Sequence, residues 1–366
     1  MKIPLVDLRA NYLGIKEEID AAIQSTIDDC AFIGGKRVEE FEKAFASMIG
    51  AKYCVFCSSG TSALQLASYA FYWPEIITVS NSFVATAEAF ESMRRDSVQC
   101  FVDVNEEDAL IDIKKLETKL WPGNNVVIVP VHLFGNVVEV DKIKNLFGDP
   151  ERITVIEDAA QCHFGRYEDN TFVGSKNTTC FSFFPGKNLG AYGDAGALVT
   201  NDEDVYRSTK MYRDHGRWTK FESEIVGSNM RGDALQAAIL SVKLNHILDW
   251  NEQRRSHAKK YNELLERIPQ IKTPVYNDRF VYHLYVIREL TSRRDSLKKF
   301  LEDADIQCGI HYLLPIHKQK AFSWANEQSL PITDLLASQI LSLPIYPELS
   351  NEQIEYVCSK IKEFYK

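Results

Sequence analysis

Apolar residues recur along the first fifty positions at helical spacing. Tyr12, Ile15, Ile19, Ile23 and Ile27 mark one face of a helix over residues 12–30. Phe41, Phe45, Met48 and Ile49 mark a second over 38–49, with Gly50 as its stop. The pattern then alternates. Short apolar runs predict strands at 53–57, 76–79, 98–104, 126–131, 153–156, 179–184 and 196–200. Amphipathic stretches between them predict helices at 62–71, 84–93 and 113–120. Strands alternating with helices make an α/β domain with a mostly parallel sheet, and ligands in such sheets gather at the carboxyl ends of the strands.

From Asp233 the helical spacing continues to about Ile268, carried by Leu235, Ile239, Val242, Leu248, Tyr261 and Leu265. A helix of that length is expected to bend, and Asp249–Asn251 is the expected place. Beyond it the pattern predicts strands near 282–287 and 307–312 and helices at 293–302, 334–340 and 351–365. The reading is a large domain over 1–245 and a smaller α+β domain over 246–366. The extended opening Pro4–Arg9 is a candidate to pack on the smaller domain.

Composition narrows the class. Among 366 residues, 45% are hydrophobic and 25% charged, which suits a globular protein. The net charge of -9, without a basic block, argues against nucleic acid as a partner. No apolar run is long enough to cross a membrane, and the first residues lack the features of a secretion signal, so a cytoplasmic protein without a membrane partner is expected. The eight cysteines are scattered. Cys54 and Cys57 have metal or redox spacing, but no second pair accompanies them, so buried free thiols and no metal site are expected.

Two strand ends carry the chemistry. The run Thr178–Phe184 meets Pro185-Gly186, which should end it and expose Lys187. The run from Ile153 ends in Glu157-Asp158. A lysine after Pro-Gly is usually a loop charge, and an aspartate at a strand end is usually a helix cap. Together they suit pyridoxal 5'-phosphate (PLP): an amine for the aldehyde, and a carboxylate that keeps the ring nitrogen protonated. Ser58-Ser-Gly60-Thr61 leads into the helix at 62–71, where small residues let a phosphate approach free backbone N–H groups; alone, the segment reads as a plain serine cap. Ser182 could add a hydroxyl to that phosphate, and Phe83 could lie on the ring. Gln161 could donate to the ring's phenolic oxygen, and His163 could buttress Asp158 or the ring.

These residues, in this order, resemble the DegT/DnrJ/EryC1/StrS sugar aminotransferases, which are fold-type I PLP enzymes. The likeness spans nearly the whole chain. It takes in Ser58-Ser-Gly-Thr-Ser-Ala63, Asn81-Ser-Phe-Val-Ala-Thr86, Val131-His-Leu-Phe-Gly135 and Ile156-Glu-Asp-Ala-Ala-Gln161. It continues through Phe183-Phe-Pro-Gly-Lys-Asn-Leu-Gly-Ala-Tyr-Gly-Asp194, Arg213-Asp-His-Gly216, Val226-Gly-Ser-Asn-Met-Arg231 and Leu341-Ser-Leu-Pro-Ile-Tyr-Pro347. Two places depart from the usual pattern: the aromatic passage Tyr69–Pro74 before the second strand is short, and Ser228 and Met230 stand in the segment ending at Arg231.

The resemblance implies that Lys187 forms the Schiff base and moves the proton, while Asp158 pairs with the ring nitrogen. Gly60, Thr61 and Ser182 would hold the phosphate, Phe83 would stack on the ring, and Gln161 would sit beside its oxygen. Asn229 would reach the cofactor of a neighbouring subunit, implying a homodimer with shared sites. The implied reaction moves an amino group from L-glutamate to a nucleoside-diphosphate keto sugar. Leu235–Ala238 and the segment from His311 to His317 favour a 3-keto over a 4-keto sugar.

Local positive charge for the diphosphate has two candidate sources, Arg213, His215, Arg217 and Lys220, or His311, His317, Lys318 and Lys320; a solvated charge face is an equal reading of either. Arg231 is a further candidate for the substrate, and Tyr312 stands in a segment that resembles the family's stretch near the sugar nucleotide. A sugar dehydratase of the same fold would carry histidine in place of Lys187, and a regulatory relative would carry an added DNA-binding segment. An amino-acid aminotransferase without sugar specificity is the third alternative.

Overall fold

The computed structural model describes residues 1–71, 75–93, 98–120, 125–147 and 152–366. The end of the aromatic passage Tyr69–Pro74 therefore lies outside the described residues. Seven strands form the main sheet: β1 (Tyr53–Cys57), β2 (Glu75–Val79), β3 (Val98–Val102), β4 (Val126–Val129), β5 (Ile153–Asp158), β6 (Thr178–Ser182) and β7 (Gly196–Thr200). Their spatial order is β1-β7-β6-β5-β4-β2-β3. Both partners of β7 run antiparallel to it, and the remaining neighbours pair parallel. The sheet is thus the expected mixed, mostly parallel one.

Alternation along each strand divides the side chains between two layers. Phe56, Val155, Phe181 and Val199 join the helix Lys36–Ile49 in one core. Val55, Ile156, Cys180 and Leu198 join the helix Gly60–Ala70 in the other. Cys54 and Cys57 belong to opposite layers, and all eight cysteines are free. Phe45 is the centre of the first layer, edge-on to Phe164, Phe181 and Phe183 at 5.2–5.8 Å between ring centroids.

A second core gathers Ile3 with Tyr261, Leu265, Tyr285, Ile287, Leu301 and Ile361. Ile3 takes a backbone bond from Gln307 and gives one to Asp305, so the N-terminal segment does lie on this part of the chain. Its sheet consists of β10 (Ile271–Lys272), β11 (Tyr285–Glu289) and β12 (Ile340–Leu343), all antiparallel. The short hairpin of β8 (Arg217–Thr219) and β9 (Glu222–Ser223) stands apart.

Several expected elements shift. The strand expected at 307–312 is only an isolated bridge, Gly309 with Ser342, preceded by a second one just outside it, Ile3 with Ile306. The apolar run there serves β12 and the N-terminal segment as a partner without extending into a strand. The helix expected to bend at Asp249–Asn251 breaks earlier, between Leu244 and Ile247, where Asn245 and His246 bond back to Val242 and Lys243. The first helix splits at Ile15 into Leu8–Gly14 and Lys16–Asp28. β6 stops at Ser182, two residues before the apolar run ends, because Phe183 is already drawn toward Ala191 and Ala195.

Replacing Phe45 with alanine should empty the space between three aromatic rings. The expected loss is about 3–5 kcal/mol of unfolding free energy, read by denaturant titration.

Candidate active site

Four strand ends converge on one cavity of about 390 Å³. β1 contributes the turn Ser59–Thr61, β2 the loop carrying Ser82 and Phe83, β5 the segment Asp158–Gln161, and β6 Ser182 and Lys187. Eight residues picked from the sequence line it: Gly60, Thr61, Phe83, Asp158, Gln161, Ser182, Lys187 and Tyr312. Tyr312 reaches the space from the C-terminal part of the chain.

Lys187 owes its place to the turn that Pro185-Gly186 imposes. Its backbone N–H closes onto Phe184 O at 2.8 Å, and Ala191 N–H returns to Phe183 O at 2.8 Å. The loop is pinned from two further directions. Lys243 Nζ donates to Gly190 O at 2.7 Å, and Asn188 Nδ2 donates to Asn251 Oδ1 and Val281 O at 2.9 Å each. Among the described residues no group is hydrogen-bonded to the Lys187 amine. Burial penalises its charged form and draws its pKa from 10.5 to about 8, with the Asp158 carboxylate opposing the fall.

Asp158 is 4% exposed at the end of β5. Burial pushes its carboxyl upward, against donation from Thr86 Oγ1, from the Ala160 N–H and from the charge of Lys187. Thr86 lies 2.7 Å from Oδ2, and Ala160 N lies 3.1 Å from Oδ1. Gln161 is clamped at both ends of its amide: Oε1 accepts from Phe134 N at 2.7 Å, and Nε2 donates to Tyr312 Oη at 3.0 Å. The Phe83 and Tyr312 rings face each other at 5.8 Å.

Ser59 caps the helix Gly60–Ala70, its hydroxyl accepting from Ser62 N. The N–H groups of Gly60 and Thr61 belong to the helix's unpaired first turn and carry its positive dipole end. A side chain at Gly60 is excluded because its Cβ would stand 2.6 Å from Ser182 Cβ. That close approach brings the Ser182 hydroxyl beside the same helix end. The chain therefore presents a phosphate cradle, a half-buried lysine whose amine has no hydrogen-bond acceptor among the described residues, and a buried carboxylate around one space. This donor set fits PLP.

The other residues picked from the sequence lie elsewhere. His163 does not bond Asp158. Its ring is fully buried, 5.5 and 5.6 Å from the rings of Phe181 and Phe183, and both ring nitrogens lack partners. Burial lowers its pKa to about 3. Thr86 supplies the bond to Asp158 that was expected of His163. Asn229 is exposed, in a bridge with Asp214, and does not line this chain's cavity.

The first basic cluster is largely spent on local pairs. Arg213 bonds Glu42 at 2.7 Å and Phe56 O at 2.6 Å. Arg217 and Arg231 both donate to Asp214 Oδ1 at 2.7 Å. His215 and Lys220 are exposed outside the cavity. The second cluster is similar. His317 is fully buried with Nδ1 2.7 Å from Ser80 Oγ, Lys318 pairs with Asp334, and Lys320 is exposed. His311 Nδ1 meets Ser342 Oγ at 2.8 Å, and burial lowers its pKa to about 4.

Sequence reasoning missed Ser82, Thr86, Asn188 and His283, whose Nδ1 lies 3.2 Å from Asn188 Oδ1. Ser82 and Thr86 stand four positions apart at a helix start, a spacing that puts two hydroxyls on one face, but nothing in that spacing says which acceptor they meet.

The profile of the DegT/DnrJ/EryC1/StrS aminotransferase family matches residues 14–362. A relative named pleiotropic regulatory protein, from Geobacillus stearothermophilus, is 37% identical over 100% of this chain and 99% of its own. The UDP-N-acetyl-3-dehydro-alpha-D-glucosamine 3-aminotransferase of Acidithiobacillus ferrooxidans is 36% identical over 98% of this chain and 97% of its own. The crystal structure of S. venezuelae DesV with a ketimine intermediate superposes with a TM-score of 0.93 at 33% identity, covering 100% and 99% of the two chains.

Two outcomes follow from the geometry. Gly60→Ala should weaken binding of PLP to the cofactor-free protein about tenfold or more, read by absorbance titration, because the new methyl group displaces Ser182. Lys187→Met should stabilise the cofactor-free protein near pH 7 by roughly 2 kcal/mol. Below pH about 8 the amine is charged in both folded and unfolded chains, and the burial penalty is present in full. Between about 8 and 10.5 only the unfolded chain keeps the proton, so the advantage of the variant should shrink as pH rises through that window.

Proposed function

This chain belongs to the DegT/DnrJ/EryC1/StrS aminotransferase family and is a PLP-dependent aminotransferase, and we propose that it moves an amino group from L-glutamate to a keto sugar linked to a nucleoside diphosphate, at C3 of the sugar. The observation that carries the reading is the pair of Lys187 and Asp158 on one cavity. The full-length match to a 3-aminotransferase of a 3-dehydro sugar nucleotide supports the substrate class and the position.

When bound, PLP supplies an aldehyde that takes up amino groups and a ring that accepts an electron pair. Lys187 provides the amine that holds the aldehyde carbon and, once displaced by substrate, a base at Nζ for the proton that moves between carbons. Its pKa of about 8 leaves an appreciable neutral fraction at neutral pH without a partner base. Asp158 holds positive charge on the ring nitrogen. Gly60, Thr61 and Ser182 would take the phosphate, and Gln161, fixed by Phe134 and Tyr312, would hold the ring's oxygen. Phe83 would lie on the ring.

A second copy of the chain completes the site. Phe83 and Phe184 are 53% and 56% exposed beside the cavity, and Phe32 and Ile33 are similarly bare. A partner covering them would bring the exposed Asn229 to the neighbouring phosphate.

Borohydride reduction of the cofactor-loaded enzyme should leave PLP covalently attached, and Lys187→Ala should abolish both the attachment and turnover. Glutamate with a panel of UDP- and TDP-linked 3-keto and 4-keto sugars should yield an amine only from the 3-keto compounds, read by product mass. Amination of the 4-keto compounds alone would overturn the C3 assignment. Mixing Lys187→Ala with Asn229→Ala subunits should restore part of the activity that each lacks; no recovery would remove Asn229 from the partner's site.

A further inference from the structure

Asp158 faces a small hydroxyl relay. Its Oδ2 lies 2.7 Å from Thr86 Oγ1, which lies 2.8 Å from Ser82 Oγ; Thr86 is 1% exposed and Ser82 4%. An ionised carboxylate only accepts, so Thr86 must give it the single hydroxyl proton, and the Ser82 hydroxyl must in turn donate to Thr86. Buried threonine hydroxyls near a helix start commonly serve the helix backbone. Here the hydroxyl crosses to β5, and the Thr86 backbone N–H finds Phe83 O at 3.1 Å independently. The Ala160 N–H occupies Oδ1. Each carboxylate oxygen is thus held by one donor, and a lone pair remains to face the cavity.

We infer that Ser82 and Thr86 are positioning residues for Asp158: they fix its orientation and keep it ionised, so that the proton it shares with a bound ring stays on the ring nitrogen. The inference rests on PLP being the ring in this cavity. The titratable groups close enough to act through charge on Asp158 are Lys187 from the loop after β6, Cys180 on β6, Tyr312 from the C-terminal part of the chain, and His132 after β4, whose ring lies behind the strand on Glu157. The hydroxyl pair and the Ala160 N–H are the hydrogen-bond donors that the chain itself aims at the carboxylate, and they support its charge against burial.

Thr86→Val keeps the shape and removes the hydroxyl; Thr86→Ser restores it. In the cofactor-free protein, the Asp158 carboxyl, followed by carbon NMR of labelled aspartate, should titrate about one unit higher in Thr86→Val and return to the wild-type value in Thr86→Ser. In the loaded protein, nitrogen NMR of ring-labelled PLP should show the ring nitrogen losing proton occupancy in the valine variant alone. The glutamate half-reaction should slow about tenfold. Ser82→Ala should move each readout in the same direction by less.

An unchanged Asp158 titration and an unchanged ring-nitrogen signal in Thr86→Val would overturn the inference, as would a serine variant that behaves like valine while unfolding like wild type. The cofactor-free titration stands whether or not the wild type binds PLP. Failure of the cofactor reading would show separately, as absence of the ring signal in the wild type.

Discussion

A buried amine and a buried carboxylate share one cavity, and neither is comfortable there without the other. Burial favours the neutral form of both Lys187 and Asp158, and each charge partly restores the other. Much of the surrounding architecture holds them at that balance. β7 is central to it, because Gly196 pairs with Cys57 on one side and with Ser182 on the other. A Cβ at Gly196 would stand 2.2 Å from Ser59 O, so the strand carrying it can press against the helix start. The single antiparallel strand thereby aligns the phosphate cradle with the segment that carries the lysine.

Glu157 and Asp158 show how one strand gives two neighbouring carboxylates opposite fates. Successive side chains point to opposite faces of the sheet. Glu157 enters the interior, where burial would raise its pKa, but bonds from His132, Tyr167 and Asn177 outweigh burial and keep it low. His132 also binds the strand end through its backbone, donating to Asp158 O at 3.0 Å. Val138 N donates to His132 Nδ1, which leaves Nε2 to carry the proton toward Glu157. This network fixes the end of β5 from behind, while Thr86 and Ala160 fix its side chain from the front.

The C-terminal part of the chain is fastened to the main sheet by polar contacts that reach the same loops. Ser80 Oγ meets His317 at two points, its ring and its backbone N–H, and Asp103 accepts from Ile332 N, Thr333 N and Thr333 Oγ1. Ser80 opens the loop that carries Ser82 and Phe83 and leads into the helix of Thr86, so these contacts bear on the segment that faces Asp158. Tyr312 and Asn188 add direct ties, the first to Gln161 and the second to Val281 and His283.

The sequence by itself determined the alternation of strands and helices, the carboxylate at the end of the strand from Ile153, the Pro-Gly turn that presents Lys187, and the small-residue turn before the helix after β1. Apolar period, Pro-Gly stops and small-residue turns act through neighbours a few positions away, and such local signals are written in consecutive letters. Ordered motifs likewise made the family legible. Tertiary structure alone decided the partners. It spent Arg213 on Glu42, buried His163 among phenylalanines, turned the run at 307–312 into an isolated bridge, and carried the Thr86 hydroxyl to Asp158. A charge or hydroxyl has no preferred partner along the chain; its partner is whichever group the packed layers bring within about 3 Å, at a depth where water cannot compete.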